Sequence, residues 1–140
     1  MLFLLAFVLG IVSGLRTFTA PAVVLLARGN RIAGIVVAVF ALAEYVVDLL
    51  PNTPSRTKPG PLIARLVSGA FVGWFIMRAD VAPTAQHFLG AIVGALGALA
   101  GAYGGRALRL KAIDKIGAVP AGLVEDAIAI GLAIAAVPIP

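Results

Sequence analysis

"IAGIVVAVFALAEYVVDLL", residues 32–50, decides the fold. Its length is close to the roughly 20 apolar residues that a membrane-crossing helix needs. Backbone polar groups in lipid must be satisfied within the structure, so only helices and closed barrels cross a bilayer. An unbroken apolar run without alternation predicts the helix. The same run places Glu44 and Asp48 one turn apart on one face and ends at "PNTPSR", residues 51–56.

Working outward, the whole chain has the character of this stretch. It has 140 residues, of which 61% are hydrophobic and 12% charged, with a mean hydropathy of +1.09. Soluble domains average roughly 25% charged residues, and a domain of this size buries too little surface to hide so much apolar material from water. The composition therefore predicts a membrane protein. The formal net charge of +5 does not indicate nucleic acid, because the cations lie between apolar runs, where loop charges orient a membrane protein. Cysteine is absent and His87 is the lone histidine, which excludes disulfides, thiolate metal sites and a histidine metal cluster within one chain. No cofactor is indicated.

Five segments have the length of a span: about 2–27, 32–50, 61–78, 87–108 and 120–138. The expected fold is all-α, a single-domain polytopic transmembrane helix bundle of about five spans. "MLFLLAFVLGIVSG" has no charged leading region and reads as a retained first helix rather than a leader. "RTFTAP", residues 16–21, interrupts the first span, and Pro21 is expected to kink it by removing a backbone donor, giving one tilted helix or two half-helices around a break where Thr17 and Thr19 can bond the freed carbonyls. Arg56, Lys58, Arg65, Arg106, Arg109, Lys111 and Lys115 flank two of the connections, while Arg28, Arg31 and Arg78 flank the other side. Counted over five crossings, this bias puts the N-terminus in the cytoplasm.

The fourth segment carries Gly90, Gly94, Gly97, Gly101 and Gly105 on one helical face. Such small-residue rows let helix backbones approach closely in lipid. Packing within the chain and a homodimer seam are both consistent with the row.

The charges inside the spans are Arg16, Glu44, Asp48, Arg65, Glu125 and Asp126. Each costs roughly 2.5–3.5 kcal/mol at the centre of a span on the insertion scale, so they are expected to face the bundle interior and to pair. They imply either a pathway for a solute or ion, since ionisable groups inside a membrane usually serve function, or a structural network that fixes helix register. A third reading makes Glu125 and Asp126 interfacial charges at a helix start, where negative charge is favoured. The proline-dense connection offers Thr53, Ser55, Arg56 and Lys58 for an anionic lipid headgroup, or is a stiff connector and nothing more. No nucleophile–base pair and no phosphate loop after a strand is present, so the chain is not expected to be an enzyme.

"SGLRTFTAP", "AEYVVDLLPNTPSR", "ARLVSGAFVG" and "VPAGLVEDAIAI", in this order, resemble the bacterial membrane family catalogued as domain of unknown function 4126. The resemblance implies that Arg16, Glu44, Asp48, Pro51, Arg65, Gly69, Glu125 and Asp126 form a recurring set. It also implies a bacterial inner membrane, and it brings no established activity. The chain departs from the family where "DLLP" stands in place of a lysine after the aspartate. The expected function is a small transporter or channel for a cation or a proton-coupled polar solute, using these carboxylates. The alternative is a non-transporting accessory or lipid-binding membrane protein.

Overall fold

The structure, a computed structural model, describes residues 2–48, 59–79 and 83–136; the side chains of residues 47, 48, 59, 79, 118 and 119 fall outside that description. Six helices follow one another: α1 Leu2–Leu15, α2 Thr19–Ala27, α3 Arg31–Asp48, α4 Pro59–Ala79, α5 Thr84–Ile116 and α6 Ala118–Ala136. No strand occurs among the described residues. Two helices are long and apolar enough to cross a membrane, over Gly60–Arg78 and Thr84–Ile116. The bundle also leaves Ile32, Ile35, Val39, Phe40, Phe88, Ile92 and Leu96 exposed. So much apolar surface is a liability in water and suits a lipid surrounding.

The glycine row builds the centre. Gly90 and Gly94 of α5 lie against Gly73 and Gly69 of α4, and Gly97 and Gly101 lie against Phe7, Gly10 and Ile11 of α1. An ideal Cβ on Gly90 would stand 2.7 Å from the carbonyl oxygen of Gly73, closer than a side chain can come to backbone. Backbones therefore touch where side chains would otherwise hold them apart. All five expected glycines are buried in α5. The row is filled by the chain's own helices, and a homodimer through it would require that packing to open. These pairings also set directions: α1 runs parallel to α5, and α4 runs antiparallel to it.

The first segment is two short helices around a break, one of the two forms its sequence allows. The break falls at residues 16–18, ahead of Pro21. Pro21 sits in the first turn of α2, where the missing N–H has no intrahelical partner to lose. At about 1.5 Å per residue, α1 is roughly 21 Å long and α2 roughly 14 Å, so neither reaches across a hydrocarbon core of about 30 Å. α1 packs on α4, α5 and α6, whereas α2 packs on α3, α4 and α6. Ala20 and Val24 share one buried cluster with Leu9, Val12, Val72, Ile76, Ala129 and Ala133. Residues on both sides of the break thus meet the same layer, which places α2 alongside α1 rather than beyond it. The two form a helical hairpin inside the bundle, with residues 16–18 at its tip.

Candidate functional site at the helix break

Several backbone groups exposed by the break have side-chain partners from other helices. The last turn of α1 presents carbonyl oxygens, and the first turn of α2 presents N–H groups. Arg65 Nη1, from α4, donates to the carbonyl of Gly14 at 2.8 Å. Glu44, from α3, accepts the N–H of Thr17 at 2.9 Å and that of Phe18 at 3.2 Å, one on each carboxylate oxygen. A cation therefore stands at the negative end of one helix dipole and an anion at the positive end of the other. The two caps also meet each other, Arg65 Nη2 lying 3.5 Å from Glu44 Oε1. Proline cannot donate to the carbonyl four residues before it, and Ser68 Oγ donates to that carbonyl, on Thr17. Ser68 also reaches Ser13 Oγ at 3.2 Å.

A second pair closes the other side of the tip. Arg16 is fully buried and holds Asp126 of α6 through a hydrogen bond and an ion pair. Its guanidinium also lies over the ring of Tyr45, 5.4 Å from the centroid, and Tyr45 shares a hydrogen bond with Thr19. Glu125, next to Asp126, pairs with Arg109 of α5 at 3.6 Å. Five of the six expected charges, Arg16, Glu44, Arg65, Glu125 and Asp126, thus gather around the break. Glu125 and Asp126 are buried among protein side chains. Asp48 ends α3 one turn beyond Glu44, and its side chain lies outside the described residues, as do Thr53, Ser55, Arg56 and Lys58.

Arg109, Tyr45, Ser13 and Ser68 belong to the site without a sequence signal for it, whereas Thr19, a candidate to serve the broken backbone, bonds Tyr45 there. Arg109 lies one residue past the expected end of the fourth segment, among the charges that flank it. The run "RALRLKAID" that follows Gly105 contains no breaker, and α5 continues to Ile116 before Gly117 ends it with φ +89°. At the opposite end of the bundle, Trp74 meets His87 edge to face at 6.4 Å and lies beneath Arg78 at 5.0 Å. An amphipathic aromatic with a cation at a helix end is typical of a membrane interface. Compared with family models, curated proteins and solved structures, the chain matches none.

Proposed function

We propose that this chain is a small transporter or channel of a bacterial inner membrane, moving a cation or a proton-coupled polar solute past the tip of the α1–α2 hairpin. The observation that carries the reading is non-helical backbone at residues 16–18 held deep in the bundle among ionisable side chains. Backbone of this kind is tolerated at membrane depth only where protein buries it or where it lines a cavity, and broken helices line the substrate sites of many transporters. Glu44 and Asp126, with Glu125 and Asp48 beside them, are the proton- or cation-accepting groups, and Arg16 and Arg65 hold them in place. α3 to α6 are the spans, and α1 and α2 enter from one side and return to it. The cations of α5, Arg106 to Lys115, mark the cytoplasmic end. Since α1 runs parallel to α5, this puts the N-terminus outside. It reverses the cytoplasmic N-terminus expected from five crossings, because the first segment returns instead of crossing. The likeness to domain of unknown function 4126 rests on the four short motifs and adds no activity.

A second reading has its own observation. Glu44, Glu125 and Asp126 each have an arginine partner, as a structural network in an accessory or lipid-binding protein would have. Flux separates the two. Purified protein in phospholipid vesicles should pass a monovalent cation or protons faster than empty vesicles, and Glu44→Gln should abolish the difference while its melting curve shows it folded. Wild-type protein with no flux of any monovalent cation tested, with a proton gradient and without one, would leave the accessory reading.

A further inference from the structure

A cavity of about 300 Å³ lies between α5 and α6 beside the end of α1. Leu15, Gly105, Ala112 and Ala121 are among the apolar residues that line it. Two charged side chains enter it, the paired Arg109 and Glu125. Leu108, Val124 and Ile128, which also line it, are more than half exposed, so the cavity opens sideways, where a membrane puts acyl chains. Beyond it α5 continues for another turn, and Lys115 lies on the face of Leu108 and Ala112. Residues 106–115 hold four cations, Arg106, Arg109, Lys111 and Lys115, against one acid, Asp114. An apolar slot reached from the side selects a chain, and a cationic rim selects a negative headgroup.

We propose that this cavity binds one acyl chain of an anionic phospholipid, with its phosphate held by Arg109 and Lys115. The site rests on the membrane reading and is independent of transport. The cationic rim should favour an anionic over a zwitterionic lipid by about fivefold for each cation engaged. The test is native mass spectrometry of delipidated protein in neutral detergent, titrated with phosphatidylglycerol, phosphatidylcholine or glycerol 3-phosphate. Wild-type protein should retain one phosphatidylglycerol at least fivefold more tightly than phosphatidylcholine and should not retain glycerol 3-phosphate. Ala112→Phe, which fills the slot, should retain neither lipid. Val124→Trp from the opposite wall repeats that test should Ala112→Phe fail to fold. The double variant Arg109→Gln/Glu125→Gln removes the pair together and leaves Lys115, so its preference for phosphatidylglycerol should fall about fivefold below that of wild type. Equal retention of the two lipids by wild type overturns the site. So does undiminished phosphatidylglycerol binding by the filled variants, or displacement by glycerol 3-phosphate, which would mark a headgroup site without a chain. Monodisperse protein in buffer without detergent would instead overturn the membrane reading itself.

Discussion

Ser68 shows how the break is held one atom at a time. Its hydroxyl donates to the Thr17 carbonyl that Pro21 leaves unserved. Leaving a buried acceptor unsatisfied costs roughly 1–3 kcal/mol, so Ser68→Ala should lower the thermal midpoint in detergent, whereas Ser68→Thr keeps the hydroxyl and should lose less. Arg16 answers a larger demand. It is fully buried against Asp126, and removing one member of a buried ion pair costs about 3–5 kcal/mol. Arg16→Met should therefore be the most destabilising of the single changes at the tip, and Arg16→Met/Asp126→Asn should recover part of the loss. A double variant no more stable than Arg16→Met would mean that Asp126 is not the partner that matters. The charges themselves were legible in the sequence, because charge is rare in this chain. Their partners were not. Glu44 caps an N–H 26 residues away, and no local spacing rule reaches that far.

At the scale of helices the glycine row was legible, since steps of three and four residues set a face directly. Which helices would fill that face was not, because a small-residue stripe fits any close neighbour. Contact geometry now divides the glycines into those that admit a side chain and those that do not. A Cβ on Gly97 would lie 3.0 Å from Gly10 Cα and closer still to the Phe7 carbonyl, while Gly104 has nothing within 4 Å. Gly97→Leu should therefore prevent α1 from seating on α5, and the protein should be lost to aggregation instead of passing from dimer to stable monomer. Gly104→Ala should gain stability, by roughly 0.5–1 kcal/mol for glycine against alanine within a helix. A folded Gly97→Leu monomer would show that α1 and α5 part without loss of the bundle. The break between α1 and α2 falls within "RTFTAP", where the rule for prolines points near Pro21. It lies at residues 16–18 because three groups from other helices, Arg65, Glu44 and Ser68, are positioned to serve the backbone there.

For the molecule as a whole, the number of crossings decides where everything else lies. Hydropathy finds apolar length but not direction, and residues 2–27 have the length of one span whether the chain crosses or returns. Only packing separates the two, through the parallel run of α1 with α5 and the cluster shared by Val24 and Leu9. On the proposed topology the returning hairpin makes the crossings even in number, which predicts both termini on the side of Thr84 and away from Lys111. The chain has no cysteine, so single cysteines report position without background. In spheroplasts an impermeant thiol reagent should label Thr84→Cys, a terminal cysteine placed before Met1 and one placed after Pro140, while Lys111→Cys should react only after the membrane is opened. An N-terminal cysteine that behaves like Lys111→Cys would mean that the first segment crosses. The tip at residues 16–18 would then lie partway along a through-going span, and a pathway there would be bounded by α1 on the cytoplasmic side instead of opening directly beneath Arg65 and Glu44.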